Sequence, residues 1–358
     1  MNVDERFNLV KSVGEEIITE SELKELISKN KKFTAYDGFE PSGVLHIAQG
    51  LMRAINVNKF TKAGAKFKLL VADWHAAANN KYNGDLDVIK KVGDYFVEVW
   101  KASGMDLDNV EFVYVSDLVK NPEYWKLVLK ISMNSTLNRM IRCCQIMGRC
   151  ESEALKASQI LYPCMQCADI FHLGVDVCQL GMDQRKVNVL ARELAESLGY
   201  KKPVAVHTHM LAGLGKPPGE ELKGVERAIA MKMSKSKPET AIFMLDSEKE
   251  VNEKISKAYC PEKEIKENPV IEYCKYIIFE KYPELKIERP QKFGGDVVFS
   301  SYEELAKEYS KGKIHPLDLK KSVSFYINEM MSPVRKHFEK NKKAKELYEF
   351  VQSQKITR

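Results

Sequence analysis

Residues 33–50, FTAYDGFEPSGVLHIAQG, decide the fold. Residues 33–37 are short and largely apolar, as a buried strand is. They run into the turn GFEPSG at residues 38–43. From 46 to 63 the apolar Leu51, Ile55, Val57 and Phe60 then fall at helical spacing. In an open parallel sheet, ligands bind in the crevice beyond the strand C-termini. A helix start there offers free N–H groups and a positive dipole end to phosphate. Gly38 and Gly43 are therefore expected to let the backbone approach a nucleotide closely, and His46, expected at the helix start, to donate to a phosphate oxygen. A capping or packing histidine is the alternative.

Working outward, residues 15–28 read as an amphipathic helix, 66–72 as a largely buried strand, 86–103 as a helix and 110–115 as a third strand. Residues 175–180 and 203–207 read as further strands, with a helix over 184–198 between them. This βαβαβ alternation predicts an α/β fold with a parallel sheet and helices on its faces. Residues 122–148 and 151–159 read as a pair of inserted helices. The Gly- and Pro-rich residues 211–224 read as an exposed mobile loop. After Asp246 the strand pattern fades and short helices dominate, which puts a domain boundary there and gives domains 1–246 and 247–358.

The chain has 358 residues, 44% apolar and 30% charged, a core-forming mixture that excludes intrinsic disorder. No run approaches the roughly 18 uncharged apolar residues that cross a bilayer. Residues 1–17 have neither a signal-peptide apolar region nor an Arg/Ser-rich transit composition. Eight cysteines are too few for a disulfide scaffold, so reduced thiols and a cytoplasmic location are expected. The net charge is +6, concentrated at one end: residues 311–358 hold 12 Lys/Arg against 5 Asp/Glu. A basic end on a balanced body suits a polyanion, or is a solvated Lys-rich helix.

Residues 231–237, MKMSKSK, place three lysines among two serines just after the Gly/Pro-rich loop. That spacing suits ammonium groups closing over a polyphosphate. Tyr162, Gln166 and Asp169 are spaced i, i+4, i+7, so they share one helix face, and three polar groups there point to a polar pocket. Cys164-Met-Gln-Cys167 has no second ligand pair at metal spacing, so no zinc is expected.

Lys232-Met-Ser-Lys-Ser236 resembles the second signature of the class I aminoacyl-tRNA synthetases, whose first signature is His-x-Gly-His. His46-Ile47-Ala48-Gln49 stands in place of that first signature, with Ala48 for the glycine and Gln49 for the second histidine. Residues 35–43 (AYDGFEPSG), 72–76 (ADWHA), 162–170 (YPCMQCADI), 181–186 (GMDQRK), 293–296 (FGGD) and 315–320 (HPLDLK) resemble tyrosyl-tRNA synthetase of the archaeal and eukaryotic cytosolic type. The resemblance covers essentially the whole chain.

It implies a Rossmann-type catalytic domain over 1–246, with a helical insertion at about 118–160 and a KMSKS loop at 231–237, followed by a mostly α-helical anticodon-binding domain over 247–358. By resemblance, Tyr36 and Asp169 hold the substrate phenol, Tyr162, Gln166 and Gln184 its α-ammonium, and His75 supports them. His46, Gln49, Lys232 and Lys235 act on the ATP phosphates. Gly38, Gly43, Met210, Leu211 and Ser234 complete the ATP site, and His207 and His209 pack beside it. Phe293 stacks on the first anticodon base, Asp318 bonds its edge, and Arg142, among the inserted Arg139, Arg142 and Arg149, reads the first acceptor pair. The implied reaction joins tyrosine to AMP from ATP with Mg²⁺ and passes it to tRNA(Tyr), with no prosthetic group and no membrane. A homodimer is expected through the insertion, on the apolar Ile131, Met133, Leu137 and Ile141. The alternatives are a tryptophanyl-tRNA synthetase, whose indole substrate has no use for a phenol-binding Asp169, and a non-catalytic RNA-binding protein derived from a synthetase.

Overall fold

The computed structural model describes residues 1–148 and 154–357, apart from the side chain of Val225. Six strands form one sheet: β1 Gly14–Ile18, β2 Phe33–Phe39, β3 Ala65–Val71, β4 Val110–Tyr114, β5 Val177–Gly181 and β6 Val204–Thr208. Their order is β1-β6-β5-β2-β3-β4. All pairings are parallel except β1 with β6. The five parallel strands are the doubly wound α/β arrangement, and the direction of winding reverses between β2 and β5. A crevice opens at such a reversal, beyond the strand C-termini. The chain leaves β2 there at the GFEPSG turn and leaves β5 there at Gly181.

Apolar clusters cover both faces. One packs the helices Leu51–Lys62 and Leu86–Ala102 against the sheet and continues through Val251, Ile277, Val323, Phe338 and Val351. The other packs the helices Pro122–Met133 and Ala157–His172 under the far half of the sheet. The C-terminal helices are also tied to the sheet half by polar contacts, with His337 Nε2 2.8 Å from Glu98 and Lys59 Nζ 2.7 Å from Glu280. No helix among the described residues is long and apolar enough to cross a membrane.

The structure corrects several sequence expectations. Residues 15–28 are not one helix. Gly14–Ile18 forms the antiparallel edge strand, with Ile17 opposite Val206, and the helix Glu20–Lys29 starts only after Thr19. The β-branched run Ile17-Ile18-Thr19 favours extended backbone, and Thr19 with Glu22 forms a capping box that sets the helix start. The helix expected from His46 begins one turn later, at Leu51. Residues 45–47 instead pair antiparallel with the segment after KMSKS: Ile47 N–H donates to Ile242 O (2.9 Å) and Met244 N–H to Leu45 O (2.9 Å). Of the expected mobile loop, Leu211 to Leu214 are buried, because Leu214 N–H donates to Thr240 O (2.8 Å) and Gly213 N–H to Met231 O (2.9 Å). The C-terminal part also holds a hairpin, Leu285–Ile287 with Val297–Phe299, that periodicity did not reveal. In the insertion, Ile131 points into the chain's own core, whereas Met133 is 82% and Leu137 59% exposed. Arg149 lies outside the described residues.

Candidate active site

A cavity of about 330 Å³ occupies the crevice at the β2/β5 reversal. Tyr36, Gly38, His46, Gln49, His75, Tyr162, Gln166, Asp169, Gln184, Met210, Leu211 and Lys232 all line it. Twelve expected site residues from seven separate segments thus converge on one crevice.

Its floor is a buried polar cluster. The helix Ala157–His172 carries Tyr162, Gln166 and Asp169 on one face, as their spacing requires. Asp169 Oδ1 accepts from the Tyr124 hydroxyl at 2.8 Å, and its Oδ2 lies 3.1 Å from His75 Nε2 without hydrogen-bond alignment. The Tyr36 hydroxyl, from the middle of β2 and beside Gln166, meets no partner at hydrogen-bond geometry among the described residues. Burial pulls the His75 pKa down, but the Asp169 carboxylate outweighs it and leaves the imidazole above its ordinary value. Burial drives the Tyr36 phenol well up, and the nearby Cys178 and Asp169 add to that, so it stays a neutral hydroxyl. A buried carboxylate oxygen and a buried hydroxyl with no aligned hydrogen bond among the described residues are costly alone. Together they suit a ligand hydroxyl that can both donate and accept.

Toward the mouth, Gln166 Nε2 donates to Gln184 Oε1 (3.2 Å), whose own amide donates to Ile146 O (3.0 Å). The Tyr162 hydroxyl lies against Glu40, which also accepts from Asn79 Nδ2 at 3.1 Å. These oxygens form an acceptor-rich patch for a cation.

The rim belongs to the two lysine- and histidine-bearing segments, held together by the backbone pairing of residues 45–47 with 242–244. His46 is buried and its Nδ1 has no partner among the described residues. Burial, with Lys235 and Lys232 adding to it, drives its pKa well down, so a neutral imidazole faces the cavity. Lys232 Nζ sits 2.6 Å from Asp183. Lys235 does not line the cavity. Its ammonium lies 4.9 Å over the Phe96 ring and donates to Ser42 O. Burial of that head, with Lys81 nearby, lowers it to about 7.

Gly43 has φ +60, which only glycine adopts readily, and a Cβ there would meet Ile356 at 2.5 Å. Gly38 has no such need, since a Cβ there would make ordinary contacts with Leu70. Gly43 and Ser234 lie outside the cavity lining, and Ser234 Oγ bonds Ser236 Oγ at 2.9 Å.

A profile of the tRNA synthetases of class I (W and Y) matches residues 28–332. The chain is 51% identical to tyrosine–tRNA ligase 1, cytoplasmic, of Arabidopsis thaliana, over 99% of this chain and 90% of that protein. The chain belongs to the class I tyrosine–tRNA ligases. It is also 44% identical to the tyrosine–tRNA ligase of Thermococcus kodakarensis over 100% of both chains. The crystal structure of tyrosyl-tRNA synthetase complexed with L-tyrosine from Pyrococcus horikoshii superposes with a TM-score of 0.91, at 41% identity over 99% of this chain and 100% of that one.

Within this tyrosine–tRNA ligase, sequence reasoning missed several pocket residues. Tyr124 reaches Asp169 from 45 positions away in the chain, and no periodicity links them. Glu40 and Asp183 stand inside the quoted motifs, yet a carboxylate in a turn reads as a solvated group. Asp37 and Arg53 also line the cavity and form a buried pair 2.7 Å apart, with Arg53 donating to Gln179 Oε1 at 2.6 Å. Burial outweighs Arg53 and pushes the Asp37 carboxyl up to about 7.

The residues assigned to tRNA lie elsewhere. Phe293 is 60% exposed in the turn between the hairpin strands, with Lys292 Nζ 4.9 Å over its ring. Asp318 stands in the first turn of the helix Pro316–Lys340. Arg289 ties their neighbourhoods together, donating to Gly295 O (2.9 Å) and to Lys313 O (2.8 Å). Arg142 is exposed on the helix Leu137–Cys143.

Proposed function

We propose that this chain activates L-tyrosine with ATP to tyrosyl-adenylate and pyrophosphate, then passes the tyrosyl group to tRNA(Tyr). The observation that carries the reading is the buried hydroxyl-binding floor of Tyr36, Asp169 and His75, at the sheet reversal and beneath both signature segments. The tyrosine phenol donates to Asp169 and meets the Tyr36 hydroxyl. Tyr162, Gln166 and Gln184 accept from the α-ammonium, and Glu40 supplies the negative charge. This leaves the carboxylate facing the rim, where it attacks the ATP α-phosphate. Positioning and charge neutralisation do most of the work, with no protein nucleophile.

Neutral His46 donates to a phosphate oxygen, and Gln49 can add a second donor without charge. Lys232 exchanges Asp183 for the leaving pyrophosphate, and Lys235 swings from Ser42 to the same group. Ser234 supports the loop, while Met210 and Leu211 lie against adenine. Mg²⁺ arrives with ATP, held by phosphate oxygens and water. Among the described residues, no three His, Cys, Asp or Glu side chains converge into a metal cage of their own. Charging of tRNA(Tyr) with labelled tyrosine tests the reading: ATP-dependent charging supports it, and its absence in folded protein refutes it.

The division into a catalytic part, 1–246, and an anticodon-binding part, 247–358, is part of the proposal, as is a cytoplasmic location. Phe293 stacks on the first anticodon base and Asp318 bonds its edge. Phe293→Ala should then lower kcat/KM for tRNA by roughly five- to 150-fold, as loss of one stacked base costs about 1–3 kcal/mol, and Asp318→Ala should lower it as well. Tyrosine-dependent exchange between ATP and pyrophosphate should stay near wild type. Equal losses in both assays would contradict the division of labour. Lys342, Lys343 and Lys345 lie on the helix Lys342–Ser353, where Lys342 and Lys345 make long i,i+4 contacts with Glu346 and Glu349 (3.8 and 3.9 Å). Neutralising them should weaken all tRNAs alike and flatten the salt dependence. Arg142 is proposed to read the first acceptor pair.

A homodimer is proposed through the insertion. Leu129, Met133 and Leu137 are each more than half exposed, and exposed apolar side chains on an insertion are covered most simply by a second copy of it. Sedimentation at micromolar protein should give twice the 40.9 kDa chain mass, and Met133→Glu with Leu137→Glu should halve it. A wild-type monomer would contradict the proposal.

A further inference from the structure

Met210 and Leu211 follow β6 and line the cavity, and one carboxylate from the C-terminal part grips both of their flanks. Glu272, in the short helix Pro269–Tyr273, accepts at Oε1 from the Ala212 backbone N–H (2.6 Å) and from His209 Nε2 (2.6 Å). The next residue, Tyr273, donates its hydroxyl to Ala212 O at 2.9 Å. On the opposite side, His209 Nδ1 meets a carboxylate oxygen of Glu15 on β1. With a carboxylate at each ring nitrogen, both nitrogens must carry hydrogen, so the ring is an imidazolium. It lies flat on Tyr276, with centroids 4.1 Å apart and planes 9° from parallel. Tyr276 sits in a π-helical turn, Cys274–Ile278, a geometry often found at functional sites.

The grip extends to the lysine loop. Ala212 is bridged to Lys232, Gly213 N–H donates to Met231 O (2.9 Å), and Met233 N–H donates to Leu211 O (2.8 Å). The backbone that Glu272 fixes is therefore also the backbone on which the KMSKS segment is seated. Glu272 is only 13% exposed at its side chain, and His209 is 20% exposed, so neither contact is a solvent-screened surface pair.

We propose that Glu272 is a positioning residue for ATP. It acts through His209 and Ala212 to hold Met210–Leu211 in place for adenine and to seat Lys232 for the phosphates. Formation of the adenylate then depends on a carboxylate from the part of the chain proposed to read the anticodon. This rests on the tyrosine–tRNA ligase reading.

The test is tyrosine-dependent ATP–pyrophosphate exchange by wild type, Glu272→Ala, Glu272→Gln and, as an inter-part control away from the nucleotide, Glu280→Gln. KM for ATP and KM for tyrosine are measured separately. Glu272→Ala should raise KM for ATP roughly tenfold, as expected for losing hydrogen bonds to a charged group, with KM for tyrosine unchanged within twofold. Glu272→Gln keeps the acceptor for Ala212 and should show a smaller rise, about threefold. It carries the comparison if the alanine variant does not fold. Glu280→Gln should leave both constants alone. Unchanged KM for ATP in the Glu272 variants overturns the proposal, and so does a parallel rise in both constants, which would mark a general loss of structure. If wild type shows no exchange with tyrosine, the ligase reading itself fails. The same variants are then compared by calorimetric ATP affinity, where a selective loss supports the positioning role and equal affinities overturn it.

Discussion

Asp169→Asn and Tyr36→Phe are expected to erode selection of tyrosine over phenylalanine by orders of magnitude in kcat/KM. The floor of the pocket is built for a hydroxyl. Asp169 is fully buried, with one oxygen taken by Tyr124 and the other facing the floor 3.1 Å from His75. Tyr36 is 1% exposed and its hydroxyl has no aligned partner among the described residues. Phenylalanine in this pocket leaves these groups unpaired, and burying an unpaired polar group is what makes such a site reject the analogue. Discrimination of about 10⁵ against phenylalanine is the established figure for tyrosyl-tRNA synthetase. In each variant the remaining groups no longer distinguish the two amino acids as sharply, because the replaced group was half of the hydroxyl's environment. Relative kcat/KM for the two amino acids is the measurement. An unchanged ratio in both variants would remove Tyr36 and Asp169 from phenol recognition.

Lys235→Ala should slow adenylate formation by roughly 10²–10³, the usual effect of removing one preorganised electrostatic group. Its ammonium rests over Phe96 and against Ser42 O, and burial together with Lys81 lowers it to about 7. A phosphate is the counter-charge that this lysine lacks in its resting position. The pKa direction adds a pH signature. In the free enzyme the charged form is lost as pH rises through about 7. ATP binding needs that form, so affinity for ATP should fall on the alkaline side and protons should be taken up on binding. Lys235→Ala should lose this pH dependence along with the rate. KM for tyrosine should barely move, since the loop lies over pyrophosphate. A fall in tyrosine affinity as large as the fall in rate would give the loop another role.

The local signals that were legible in the sequence are those whose geometry is set by a few neighbouring residues. The i, i+4, i+7 spacing of Tyr162, Gln166 and Asp169 fixed their common face, because a helix of 3.6 residues per turn allows no other. The strand, turn and lysine segments likewise indicated the crevice. Long-range partners were not legible. Tyr124 and Glu272 act through contacts 45 and 60 or more positions away, and only the folded sheet brings them to the site. The β1 strand was missed for a different reason: residues 15–28 have apolar spacing compatible with a helix. The unpaired edge of β6 recruits Gly14–Ile18 as a strand, and the Thr19 cap delays the helix. His46 stands a full turn before the helix, which starts only at Leu51. Its segment is held by pairing with Ile242 and Met244, a partner two hundred residues away that no local pattern announces.

The most direct test of the account is ATP–pyrophosphate exchange by the purified chain with tyrosine, tryptophan and phenylalanine offered one at a time. Rapid exchange with tyrosine and only background with the other two is the expected result. Exchange driven by tryptophan, or none with tyrosine in a folded chain that still binds tRNA, would contradict it.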